Sequence, residues 1–87
     1  MNGVYRALSD PTRRRILELL RDNDMTAGEI AARFHLAKPT LSGHFAVLRE
    51  AGLIQGDRAG TSIKYRLNVS VLEEALWALL ESFKIRR

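Results

Sequence analysis

The chain has 87 residues, 46% of them hydrophobic, 28% charged and none cysteine, which is enough for one small core and too little for two full domains. Without cysteine it has no disulfide, thiolate nucleophile or Cys-based zinc or iron–sulfur site. The net charge of +4 resides in the stretch from Arg33 to Arg66, where six bases (Arg33, Lys38, Arg49, Arg58, Lys64, Arg66) face two acids, Glu50 and Asp57; this imbalance favours an anionic partner.

A domain of this size hides only about 60% of the surface its unfolded chain exposes, which predicts shared burial with a partner, a second copy being the simplest. The opening residues Met1 to Arg6 contain no apolar run of signal-peptide type, and charges interrupt every stretch short of the roughly 20 residues a membrane span requires. The sequence therefore predicts a cytoplasmic protein.

Val4, Tyr5 and Leu8 suggest a short first helix, interrupted at Ser9-Asp10-Pro11. Asp10 reads as an N-cap with Pro11 at the first helical position, opening a second helix whose apolar stripe is Ile16, Leu17, Leu19 and Leu20 and which ends near Asp22 to Asp24. Thr26 to Glu29 has capping-box spacing and predicts a third helix from about Ala27 to Phe34, with Ile30, Ala31 and Phe34 facing inward. His35-Leu36-Ala37 is a tight turn, and a fourth helix begins at Lys38-Pro39, buries Leu41, Phe45 and Leu48, and ends at Gly52.

The period then changes from helical to alternating. Leu53-Ile54 opens a strand, Arg58 to Thr61 is a hairpin tip, and Ile63, Tyr65 and Leu67 point inward between Ser62, Lys64 and Arg66. Ser70 to Glu73 repeats the capping-box spacing and starts a last helix with more apolar surface than one contact face needs. Helix, three-residue turn, helix and hairpin in this order predict a mainly α fold with a β-hairpin wing (α+β), a winged helix-turn-helix of order α-α-α-α-β-β-α. Its slim fourth helix, with Lys38, Thr40 and Ser42 outward, suits the major groove of double-stranded DNA, while the same fold also serves as a protein-docking module that never meets DNA.

Two stretches, Leu8-Ser9-Asp10-Pro11-Thr12-Arg13-Arg14-Arg15-Ile16-Leu17 and Lys38-Pro39-Thr40-Leu41-Ser42-Gly43-His44-Phe45 through Leu48-Arg49-Glu50-Ala51-Gly52-Leu53-Ile54, resemble the ArsR/SmtB-type bacterial transcriptional repressors, and the overall pattern resembles the SdpR-like autorepressor branch. The resemblance covers nearly the whole chain. It implies a helix-turn-helix at about 27–51, a wing at about 53–67, and a homodimer on an inverted-repeat operator that excludes RNA polymerase. The interface would be made by helices at about 2–8 and 71–85.

Family positions that touch DNA correspond to Lys38, Pro39, Thr40, Ser42 and Gly43. On the hairpin, Arg58, Thr61 and Lys64 are placed to reach the minor groove or its phosphates. His44 lies on the border between buried and exposed faces, as a packed ring or a phosphate contact. The run Arg13-Arg14-Arg15 reads either as a solvated face or as a patch over the DNA backbone. The expected dimer face combines Val4, Tyr5 and Leu8 with Leu72, Leu76, Trp77, Leu79, Leu80 and Phe83.

The cysteines of the family's metal sensors correspond to Thr26 and Gly28, and residues 70–87 offer Glu73, Glu74 and Glu81 without histidine, so no metal site and no cofactor are expected. A ligand or protein inducer acting at the dimer interface stays open. His35 is assigned a backbone role at positive φ in the turn. Neither histidine has a nucleophile with an orienting carboxylate nearby in sequence, which argues against an enzyme.

Overall fold

A computed structural model describes residues 2–84. Helix α1 (Asn2–Leu8) is followed after Ser9-Asp10 by α2 (Pro11–Asp22). Proline at the first position of α2 presets its φ, and the extended Asp10 caps it by accepting the Arg13 N–H at 3.1 Å. The stripe Ile16, Leu17, Leu19 and Leu20 is buried as its spacing predicts.

Strand β1 (Met25–Thr26) leads directly into α3 (Ala27–Ala31). The Thr26 capping box is complete: the Glu29 N–H donates to Thr26 Oγ1 at 3.1 Å and the Thr26 N–H donates to Glu29 Oε1 at 2.8 Å. Helix α3 stops at Ala31, short of the expected Phe34, because Arg33 and Phe34 donate three residues back, to Ile30 and Ala31, and tighten the chain into a turn. The connector to the next helix is therefore residues 32–37, longer than the three-residue turn expected. His35 does not adopt a positive φ; among the described non-glycine residues Lys84 alone does so.

Helix α4 (Lys38–Glu50) buries Leu41, Phe45 and Leu48. It ends on Gly52 at φ +77°, with the Gly52 N–H on the Arg49 carbonyl at 2.9 Å and the Leu53 N–H on the Leu48 carbonyl at 3.0 Å, the paired bonds that close a helix through a left-handed residue. Strands β2 (Ile54–Ala59) and β3 (Ser62–Leu67) pair in register from Ile54↔Leu67 to Ala59↔Ser62, and β1 adds to the far edge of β3 through Met25↔Tyr65 and Thr26↔Lys64. The antiparallel sheet has the order β1-β3-β2. Ile63 lies on the same face as Tyr65 but is exposed, because β1 pairs no farther along β3 than Lys64 and the hairpin continues beyond the body.

Helix α5 (Val69–Ser82) starts from Asn68, so Ser70 is already inside the helix and the Ser70–Glu73 capping box does not form. Residue 85, the expected end of this helix, lies outside the described residues. Ala75 is buried, while Val71 and Leu72 pack half-buried against the core. The core itself joins α2, Ile30, the inner face of α4, Leu53, Ile54 and Tyr65 to Val4 and Ala7 of α1. With a radius of gyration of 13.6 Å, against about 12 Å for a compact chain of this length, the protomer is drawn out. No helix among the described residues is long and apolar enough to cross a membrane.

Candidate nucleic-acid interface

The outer face of α4 presents Lys38, Pro39, Thr40, Ser42 and Gly43, all exposed. The side chains of Lys38, Thr40 and Ser42 make no hydrogen bond or ion pair among the described residues, so their donors are free for an external acceptor. Gly43 has no internal reason to be glycine: a Cβ there would meet no atom within 4 Å. A mid-helix glycine costs about 0.5–1 kcal/mol relative to alanine, and the open space around it is on the side where a partner's surface would approach.

The wing carries Arg58, Thr61 and Lys64, again all exposed. Gly60 at φ +64° turns the tip. Asp57 spends its charge nearby, 3.8 Å from Arg66 and opposite Lys64 in register. Arg58, Lys38, Arg33 and Arg49 form no ion pair among the described residues. The positive stretch seen in the sequence is thus largely unneutralised in the fold. Arg33, read from the sequence only as part of a total, lies exposed in the α3–α4 connector.

The wing and α4 are joined through Tyr65. Its ring stacks on Phe45 with centroids 4.9 Å apart, and Arg49 reaches its hydroxyl at 3.5 Å. Gly56 makes room for this arrangement, since a Cβ at that position would lie 2.8 Å from Ile63 Cγ2 and 2.9 Å from Tyr65 Cε1. Tyr65 is buried as its alternation predicts, while the role of Gly56 emerges only from the cross-strand register Gly56↔Tyr65 that brings the two together.

His44 is the recessed member of the set. Its Nδ1 lies 3.1 Å from Arg13 Nη1 and 4.0 Å from Asp10 Oδ2. The imidazole is therefore packed on its Nδ1 side. Arg13 follows neither reading of the charge run, whereas Arg14 stays exposed, as on a solvated face. Arg13 Nε donates to the Ala7 carbonyl at 2.9 Å and Nη2 to the Arg6 carbonyl at 2.8 Å, while Arg14 Nη1 donates to the Leu8 carbonyl at 2.7 Å. They satisfy the carbonyls at the end of α1, which have no partner within their own helix. Arg15 pairs on the surface with Glu18 at 3.2 Å.

Away from this surface, Leu76, Trp77 and Leu79 on α5 and Phe83 just past its end are exposed, Trp77 by 64% and Phe83 by 70%, while Tyr5, Leu8, Leu72 and Leu80 are half-buried. Val4, expected on the same face, is 6% exposed and belongs to the protomer's own core. It packs with Ala7 on the inner side of α1, a side that a pattern of only three apolar residues could not distinguish from the outer one.

Residues 10–55, from the cap of α2 to the start of the wing, match the profile of the bacterial regulatory proteins of the arsR family. The chain belongs to the arsR family. It is 49% identical to the transcriptional repressor SdpR of Bacillus subtilis over 91% of the chain and 89% of that protein. It is 40% identical to the HTH-type transcriptional regulator CmtR of Mycobacterium bovis over 87% of the chain, which spans 64% of that relative's length. The solution structure of Mb0332 from Mycobacterium bovis, described as a homodimeric winged helix-turn-helix DNA-binding domain, superposes with a TM-score of 0.76 at 28% identity, covering 95% of this chain and 76% of the other. An arsR-family chain with this fold is a DNA-binding transcriptional repressor and not an enzyme. The fold is the winged helix-turn-helix of this family, with β2–β3 as its hairpin wing.

Proposed function

We propose that this repressor works as a homodimer on an inverted-repeat operator, placing two α4 helices in successive major grooves about 34–36 Å apart, with half-sites roughly 10 bp apart. The observation that carries this reading is the presence of two separate surfaces on one protomer: an α4 face of unpartnered donors, and an α5 face whose large apolar side chains lie open. Each large apolar side chain buried against a two-fold mate contributes roughly 1.5–3 kcal/mol. The homodimeric state of Mb0332 supports the same arrangement.

On the operator, Lys38 donates to guanine O6/N7, Thr40 and Ser42 reach bases or phosphates, and Pro39 and Gly43 let the helix sit close to the base edges. Arg58, Thr61 and Lys64 hold the wing on the backbone or in the minor groove. Occupancy in the cytoplasm excludes RNA polymerase sterically. Thr26 Oγ1 lies 3.9 Å from where a Gly28 Cβ would be, so the positions of the family's sensor cysteines are neighbours here, yet neither residue can supply a thiolate. Metal binding at that site is accordingly not part of the mechanism, and any inducer is a ligand or protein of another kind.

Selection of bound duplexes from a random DNA pool tests the reading. Enrichment of an inverted repeat with half-sites one helical turn apart is expected. Enrichment of single, unpaired half-sites, or of nothing, contradicts it.

A further inference from the structure

Arg13 sits in the first turn of α2, yet all the side-chain hydrogen bonds of its guanidinium reach outside that helix, to the carbonyls of Arg6 and Ala7 and to His44 Nδ1 on α4. A guanidinium offers N–H donors, accepts nothing and keeps its proton throughout the ordinary pH range. As a hydrogen bond this contact makes Nδ1 the acceptor, which requires the ring form that carries its proton on Nε2. A doubly protonated ring would turn an N–H against the guanidinium. The carboxylate nearest Nδ1, Asp10, stands at 4.0 Å and already holds the Arg13 N–H.

The other ring nitrogen has no protein partner among the described residues, and no buried side-chain nitrogen or oxygen among them lacks a partner. Nε2–H thus opens to the surface through the 16% of the His44 side chain left exposed. Thr40, one turn earlier on α4, belongs to the exposed face that the recognition helix turns outward.

We propose that Arg13 is a positioning residue for DNA binding: it fixes His44 in the Nε2–H form and aims that N–H at a phosphate oxygen of the duplex as a neutral donor. This rests on reading α4 as the groove-facing helix. The charge of Arg13 itself is held by the α1 carbonyls, so the same side chain ties α1 to the recognition helix without contacting DNA.

Two isosteric variants separate the two ring nitrogens. His44→Asn keeps an acceptor near Nδ1 for Arg13 and removes the outer donor, whereas His44→Gln keeps a donor near Nε2. In a long-range ¹H–¹⁵N spectrum of the free protein, Nε2 is expected protonated and Nδ1 bare, and Arg13→Lys should admit the other tautomer. Affinity is read by fluorescence anisotropy with a labelled random-sequence duplex. His44→Asn should weaken binding about threefold to tenfold, the size of one lost hydrogen bond, with Arg13→Lys similar and His44→Gln recovering most of the loss.

The slope of log Kd against log salt should be unchanged in all three, because a neutral donor releases no counterion, whereas a cationic contact would lower it by about 0.9. A protonated Nδ1 in the parent, unweakened binding by His44→Asn, or a lowered slope would overturn the proposal. Failure of the parent to bind any duplex would instead overturn the reading of α4 and the phosphate contact with it, while the spectrum would still decide the tautomer.

Discussion

Gly56 and Gly43 show how one residue type answers two different demands. At Gly56 the constraint is internal: Ile63 and Tyr65 occupy the space of a Cβ, at 2.8 and 2.9 Å. Gly56→Ala should push Tyr65 off Phe45 and cost about 1–3 kcal/mol, as overpacking does, measurable by urea denaturation; unchanged stability would show that the stack is slack. At Gly43 nothing in the chain resists a methyl group. Gly43→Ala should stabilise α4 by about 0.5–1 kcal/mol and still weaken DNA binding in a titration, an opposition that only an external surface can produce. Lys38→Ala should cost about 1–3 kcal/mol of operator discrimination and lower the salt slope by roughly 1, with the melting temperature nearly unchanged. Ser42→Ala should weaken binding with similarly little effect on melting.

At the scale of elements, the helix ends carry the arrangement. Asp10 is held below its ordinary 3.8, first by the Arg13 N–H that it accepts, and Glu29 below its ordinary 4.5 by the Thr26 N–H. A depressed folded value means that the charged cap contributes stability in full above the unfolded value and loses it as the pH falls through the lower folded one. Asp10→Ala should therefore cost about 0.5–2 kcal/mol at neutral pH, as a lost N-cap does. Below the carboxylate range the gap between parent and variant should narrow, which denaturant titrations at the two pH extremes will show. A gap independent of pH would mean that the carboxylate is not the cap.

Much of this was readable in the sequence, because caps and stripes are local. Asp10-Pro11, the Thr26–Glu29 spacing, Leu41-Phe45-Leu48 and the left-handed Gly52 all appear where spacing placed them. The failures are non-local or too short to be periodic. Strand β1 is two residues long and exists only through its pairing with β3. The Ser70–Glu73 spacing lost to Asn68, from which α5 starts directly at the end of the sheet. Of the candidate site, the exposed face of α4 and the wing cations were legible. The guanidinium of Arg13 was not, since its acceptors lie six, seven and thirty-one residues away.

For the whole molecule, the drawn-out protomer and the open face of α5 are accounted for together by a second copy. Trp77, the sole tryptophan and 64% exposed in the protomer, reports on that contact directly. Its emission should move to shorter wavelength as the protein concentration rises, and Leu76→Glu should abolish the movement by placing a charge in the desolvated contact. Emission that ignores concentration across the range where sedimentation finds one species would leave α5 uncovered. If, as proposed, lysines and arginines neutralise phosphates on the operator, binding should also fall steeply with salt.

The most direct measurement is the mass, by sedimentation equilibrium, of the complex formed on a duplex enriched from the random pool. Two chains per duplex, reduced to free DNA and protein by raised salt, is the predicted result. One chain per duplex, or DNA that sediments alone at low salt, would contradict the account.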